Sequence, residues 1–421
     1  MKKRLSTLFI CLLLFAPVFG QGPEVTSWMR NTTNDMYMGA LTDVAEVWYT
    51  NSHVYIKASG IPSYFASLVH TSVHAPADQN YIMELPRNPV PTANGQSLTM
   101  GFRGIWTNGT YVAGQGDNQY YDPNSQGLTE WGRVAWYFEG IIFSGPNPTN
   151  SPFGDFDESL AHSTASNQYH YHVYNAGIIT DVTDSAGHSP IVGYAFDGYP
   201  IYGPYGYSDP NNPNSSITRI KSSYQKRNMM NRNFLPDGSP SVNPPPINPN
   251  YPIGCFIQDY EYLAGSGHLD QHNGRLCVTP EYPDTTYAYF VTLDDTLGPA
   301  FPYNPADSYY GETNHMGPTP TVNTIPGNAV QYTGTTALQD LLNVEGYSVF
   351  PNPVVDRIMV NAPNDTPKQL TILSLTGQKL MEAEMMGSAI LDLQNLPAGM
   401  YVLQVKEVGN DVGYVTKVVK R

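Results

Sequence analysis

Cysteine is scarce, with three in 421 residues. So few thiols exclude a disulfide-dense scaffold and a four-cysteine zinc cluster. Basic residues are short too: 21 Lys and Arg face 36 Asp and Glu, for a formal net charge of −15. Such a surface repels a phosphate backbone, which argues against nucleic-acid binding. The longest apolar run, residues 8–15, is well short of the roughly 20 residues a membrane-spanning helix needs. Apolar spacing at the 3.6-residue period is rare, and only residues 336–343 suit a short helix. No His-Glu-x-x-His pair, Gly-x-Ser-x-Gly elbow or phosphate-cradling loop occurs. The loop beginning at Asp122 starts like a calcium site but carries Arg133 where an EF-hand requires Glu.

What is present begins with an export signal. Lys2, Lys3 and Arg4 precede the apolar run, and Val18-Phe19-Gly20 offers small residues for cleavage. Residues 1–20 therefore read as a secretory signal peptide. In an oxidising compartment the two remaining cysteines, Cys255 and Cys277, are expected to form a disulfide. By the loop-entropy relation that bridge would contribute about 3 kcal/mol.

The body of the chain is read as mainly β. Short β-branched and aromatic runs such as Val54-Tyr55-Ile56 and residues 287–292 alternate with Gly, Pro, Asn and Asp. With 37 Gly and 36 Pro the connections are extensive. The proline-dense stretch 236–252 cannot join a sheet and reads as a surface excursion. The character changes near Val344. All ten histidines lie between His53 and His315, and most of the excess acid precedes the same point. Beyond it, evenly spaced alternations at 357–360, 369–375, 389–393, 401–405 and 414–419 predict a small β-sandwich. The expected organisation is a leader at 1–20, a large loop-rich β domain at 21–331, a linker at 332–345 and a sandwich at 346–421.

The chemistry concentrates at Tyr169-His170-Tyr171-His172. In a strand, alternate side chains share a face, so both imidazoles point one way and both phenols the other. With His162 upstream, three neutral imidazoles could meet one ion, and imidazole suits zinc, copper and iron alike. Asp197, in a Gly-rich turn, is the fourth candidate, as a ligand or as the partner that orients an imidazole. Asp157 and Asp270 are weaker carboxylate candidates. The pairs His70/His74 and His268/His272 have helix-face spacing but lie in no convincing helix. Ligand histidines must be neutral, so metal held by them is expected to leave as the pH falls below about 6. Against this stands a non-catalytic surface or adhesion module, in which the motif's histidines and tyrosines are hydrogen-bonded core residues.

Two stretches resemble known families. Val349-Phe350-Pro351-Asn352-Pro353, Leu373-Ser374-Leu375-Thr376-Gly377 and Leu396-Pro397-Ala398-Gly399-Met400-Tyr401, closing with Lys417, Lys420 and Arg421, resemble the C-terminal sorting domain of type IX secretion cargo. The resemblance implies an Ig-like sandwich read by an outer-membrane translocon as partner, with delivery to the surface or the medium. Residues from about 40 to 330 resemble the YHYH domain family. That resemblance rests on the motif itself, residues 54–62, His188-Ser189-Pro190, the run from Gly193 to Pro204, Asn273-Gly274-Arg275 and Thr279-Pro280-Glu281-Tyr282. It implies no settled activity. Two positions depart from the family pattern, Ala161-His162-Ser163 in place of Gly-His-Pro and Gln271-His272 in place of Glu-Cys, so His272 is not taken as a ligand.

Overall fold

In a computed structural model of the chain, residues 21–37, 39–63, 74–97, 101–116, 119–130, 136–139, 156–157, 159–174, 185–313, 321–333, 347–351, 354–374, 379–397, 399–407 and 413–420 are described. The proposed leader, most of the linker with its expected helix, His70 and His315 lie outside them. The chain divides into two compact units, Met1–Tyr332 and Thr333–Arg421. In both, the regular structure is almost wholly strand.

The first unit carries a five-stranded antiparallel sheet in the order Thr321–Val322, Tyr81–Pro86, His53–Ala58, Val44–Tyr49, Val330–Tyr332. Its strands follow from period-two patterning: Tyr81, Met83 and Leu85 are buried while Ile82, Glu84 and Pro86 are half-buried. A second sheet of eight strands holds the site. Its order is Ala161–Ser163, Tyr169–Tyr171, Tyr111–Ala113, Phe102–Trp106, Ile191–Ala195, Pro200–Tyr202, Thr286–Phe290, Gly274–Cys277. Strand 169–171 runs parallel to 111–113, and 200–202 runs parallel to 286–290. Four of the inner strands, 169–171, 111–113, 191–195 and 200–202, are buried at every position, as a sheet covered on both faces requires. Tyrosines fill much of the core between and beside these sheets, including Tyr111, Tyr171, Tyr194, Tyr202 and Tyr289.

Two smaller apolar clusters hold the loops. One groups Phe156, Val173, Tyr260, Phe301 and Tyr303. The other groups Tyr121, Trp136, Phe138, Cys255 and Phe256. The proline-dense excursion is tied down by Arg232, whose guanidinium donates to the carbonyls of Pro246 (2.7 Å) and Pro252 (2.9 Å). The same group forms a two-point ion pair with Asp259 at 2.7 and 2.8 Å, and both side chains are fully buried.

The expected disulfide is not found. Cys255 and Cys277 are both free and buried. They belong to different cores, Cys255 to the loop cluster and Cys277 to the main one, at the end of the strand Gly274–Cys277. Burial raises both thiol pKa values, that of Cys255 to about 12. A side-chain hydrogen bond with Arg275 partly offsets the rise at Cys277. Even cysteine count and compartment were the only grounds for pairing them, and neither encodes distance.

The second unit packs a three-stranded sheet (Ser348–Phe350, Arg357–Asn361, Ser388–Asp392) and a four-stranded one (Lys379–Met386, Pro367–Leu373, Gly399–Glu407, Gly413–Lys420). The two sheets share one core of Val354, Ile358, Val360, Leu370, Ile372, Leu391, Leu403, Val405 and neighbours. That is a sandwich-like arrangement, as the alternations predicted. Among the described residues no helix is long and apolar enough to cross a membrane.

Candidate metal centre

His162 and His170 are direct partners across an antiparallel hairpin whose strands are Ala161–Ser163 and Tyr169–Tyr171. A turn through residues 164–168 closes it: Asn167 donates its backbone N–H to the carbonyl of Thr164 and Gln168 donates to Thr164 Oγ1. His172 follows the strand directly, and its backbone carbonyl accepts a 2.7 Å bond from buried Asn304 Nδ2, which also donates to Ala113 O at 3.3 Å. Asn304 thereby fixes the end of the motif to the neighbouring strand. The alternation expected of the motif holds. Tyr169 OH donates to Asp157 Oδ2 at 2.6 Å, and Tyr171 OH donates to Asn108 Oδ1 at 3.0 Å while its ring stacks on Trp106.

On the other face the three imidazoles converge, their nitrogens all within 4.8 Å of one another. This is the one group of three such ligands among the described residues. Ring centroids stand 4.6 Å (His162 to His170), 5.0 Å (His170 to His172) and 5.4 Å (His162 to His172) apart. Nε2 of His162 and Nε2 of His172 are separated by 3.4 Å. Two nitrogens at 2.0–2.1 Å from a tetrahedral ion must be about 3.4 Å apart, so this edge already has the required length.

The ring orientations are set by backbone carbonyls. Nδ1 of His172 faces Gly114 O at 2.8 Å, and Nδ1 of His170 faces Gln168 O at 3.2 Å. A carbonyl only accepts, so each Nδ1 carries the proton and each Nε2 presents a lone pair. Outer-shell carbonyls commonly fix metal-bound histidines in this way. Aromatic rings wall the group: Phe156 stacks on His162 at 4.6 Å and meets His172 edge-on at 5.7 Å, while Phe102 meets His170 edge-on at 5.2 Å.

His170 and His172 are buried and His162 is partly buried. Burial, and after it the mutual repulsion of charged rings, drives the His162 pKa well below its ordinary value. Burial likewise brings His170 down to about 3. It brings His172 to about 4, against the pull of the Gly114 carbonyl and with a small push from Arg103. The imidazoles therefore stay neutral through mildly acidic pH. These shifts run against the expectation of metal release near pH 6, which took the histidines at their ordinary pKa.

Asp197 is not brought to the histidines. Its Oδ2 accepts Tyr289 OH at 2.6 Å and Gly311 N–H at 2.9 Å, and its Oδ1 accepts the Tyr199 N–H at 3.2 Å. Fully buried, its pKa is raised to about 6 by desolvation, against the lowering effect of those donors. Asp157 braces the hairpin, its Oδ1 accepting Ser159 N–H and Oγ and the Ala161 N–H. Asp270 accepts the His272 N–H and Tyr287 OH. His268 and His272 do not act together: His268 Nδ1 accepts the Lys221 N–H, and His272 Nδ1 meets Ser308 Oγ at 2.7 Å. Sequence reading missed Phe102, Gly114, Gln168 and Asn304. Most of these lie far from the motif in sequence, and Gln168 acts through a main-chain oxygen that any residue supplies.

Comparison with known families places two matches on the chain. A YHYH protein family model matches residues 82–301. A secretion system C-terminal sorting domain model matches residues 348–421. The latter marks the chain as cargo of the type IX system, destined for the cell surface or for secretion, and implies contact with the secretion machinery. No curated protein matches the chain.

Proposed function

The chain belongs to the YHYH protein family, and we propose that it acts outside the cell as a metal-holding domain delivered by its C-terminal address. His162, His170 and His172 supply the ligands. The carrying observation is the pair of Nδ1–carbonyl contacts, to Gly114 and Gln168, which turn Nε2 lone pairs inward while burial keeps the rings neutral. The donor set accepts zinc, copper or iron. Three imidazoles leave a coordination position open, and an ion so held would polarise water or a carbonyl. His162, the least buried of the three, lies on the side assigned to exchange. Asp197 has no ligand role in this reading; its contacts support a structural one. Division at 1–20, 21–331, 332–345 and 346–421 completes the proposal, and the split into compact units after Tyr332 supports the boundary at the start of the linker.

Metal analysis of the purified mature protein tests the reading, with His170→Ala/His172→Ala as control. About one equivalent of a transition metal is expected in the native chain, and only traces in the folded double variant. Trace metal in the native chain, with stability unchanged by chelation, would overturn it. That outcome would favour the non-catalytic surface module. Its supporting observation is that 3.4 Å between two Nε2 atoms also permits an imidazole–imidazole hydrogen bond.

A further inference from the structure

A second site lies in the first unit, where Pro91–Ser97 and Ser308–Gly311 form a two-stranded sheet of their own. The register jumps: Gln96 opposes Tyr309, yet Gly311 opposes Pro91. Residues 92–95 therefore bulge against the single residue Tyr310. Large bulges of this kind recur beside binding sites, because they re-aim backbone and side chains. Three of the bulged residues, Thr92, Ala93 and Gly95, form one wall of a cleft of about 520 Å³. The turn Asp270-Gln271-His272 packs against them, and Tyr262 and Tyr310 complete the lining. That volume falls within the range of small-molecule sites, about 300–1,000 Å³.

The wall is built to tight tolerance. Gly95 has φ +63°, and a Cβ there would sit 2.5 Å from His272 Cε1. The imidazole is held at both nitrogens, by Ser308 Oγ at 2.7 Å and by the Gln271 amide at 3.3 Å. Tyr310 is fixed on one face by Tyr287, with ring centroids 3.8 Å apart and planes 4° from parallel. Tyr287 OH anchors Asp270, reaching its two oxygens at 2.9 and 3.0 Å. The cleft thus combines a braced aromatic ring with an amide, a carboxylate and a hydroxyl.

The geometry points to a binding site for a neutral sugar, stacked against the Tyr310 ring with its hydroxyls bonded by Asp270, Gln271 and Thr92. A pyranose has one apolar C–H face for an aromatic ring and an equatorial rim of hydroxyls that planar carboxylate and amide groups can bond. Charge selects the class. The one formal charge of the lining is that of Asp270, and acidic residues outnumber basic by more than two to one over residues 21–343. Uronic and sulfated sugars are therefore disfavoured. This site shares no residue with the histidine group and stands whether or not that group holds metal.

Ligand-observed NMR on the mature chain tests it, using two panels of mono- to tetrasaccharides. One panel is neutral (glucose, galactose, mannose and N-acetylglucosamine series) and the other acidic (uronate and sulfated). At least one neutral saccharide is expected to bind at millimolar affinity or better. Gln271→Ala, an exposed change, and Tyr310→Ala should each weaken it by about tenfold or more, whereas Tyr310→Phe should keep it within about threefold. His170→Ala/His172→Ala should leave it unchanged. No neutral saccharide bound at about 10 mM, a preference for the acidic panel, or binding indifferent to Gln271→Ala would each overturn the assignment. Should Tyr310→Ala fail to fold, Gln271→Ala and Tyr310→Phe decide alone.

Discussion

Metal affinity at the three-histidine site is expected to be almost independent of pH between 7 and 5, and the size of that effect can be worked from the site itself. A proton and a metal ion compete for each Nε2 lone pair, so affinity falls with the fraction of ligand protonated in the metal-free protein. A histidine at the ordinary pKa of 6.5 is about 76% neutral at pH 7 and about 3% neutral at pH 5. Two such ligands would lose affinity by roughly 600-fold over this range. In the folded chain burial holds His170 at about 3 and His172 at about 4. At pH 5 these two stay about 99% and 91% neutral, so their combined loss is only about 1.1-fold. His162 is shifted in the same direction and adds little. The sign is that of a depressed basic group: the ligand is ready above its lowered pKa and is lost only as pH falls through it. Zinc titration by calorimetry at pH 7, 6 and 5 reads the effect, in buffers of different ionisation enthalpy so that released protons are counted. A dissociation constant changing by less than about twofold, with almost no proton release at pH 6, is expected. A loss of several hundred-fold between pH 7 and 5 would refute the claim that burial keeps these rings neutral.

Other perturbations separate structure from chemistry. Asp197→Ala strips acceptors from the buried Tyr289 hydroxyl and two backbone N–H groups, and should lower stability in urea by about 2–4 kcal/mol with metal content unchanged; metal lost from a variant of native stability would restore Asp197 to the site. Arg232→Met leaves Asp259 buried without its counter-ion, at a cost of about 3–5 kcal/mol in urea unfolding, and a cost under about 1 kcal/mol would show that water enters this pair. Thiol titration of the unreduced mature chain should give two free thiols in denaturant and almost none when folded, since Cys255 and Cys277 are free and buried; no thiol before reduction would reinstate the disulfide. Deleting residues 346–421 should leave the protein in the periplasm, as followed by fractionation, because the sorting domain model spans 348–421; export of the truncated chain would remove the address from that segment.

Much of the fold was legible because β periodicity is local. The run Val54-Tyr55-Ile56 lies inside the strand His53–Ala58, and all five alternations read after Val344 are strands. Two strands were missed there, Ser348–Phe350 and Lys379–Met386, and the second is made of Lys, Leu, Met, Glu and Ala, which favour helix by intrinsic preference. Pairing along its whole length with Pro367–Leu373 overrides that preference. Distance was not legible. The cysteine pair and Asp197 were both proposed from residue type and position, and both lie in surroundings that no local pattern announces.

The motif itself gains a physical meaning from the two sides it presents. Its tyrosines are as much part of the site as its histidines. Tyr169 binds Asp157, which in turn caps the chain entering the His162 strand through Ser159 and Ala161. Tyr171 binds Asn108, whose carbonyl oxygen also accepts Thr110 N–H and Oγ1 next to the strand Tyr111–Ala113. The Gly114 carbonyl that orients His172 follows that same strand. One phenol therefore positions the strand bearing the third imidazole, and the other positions the strand that sets the tautomer of the second. A change of Tyr169 to Phe should thus act on metal affinity through His162, without touching a ligand. A histidine pair lacking those phenols would have the right period and no fixed third partner, so the four residues work as one unit rather than as two histidines with spacers.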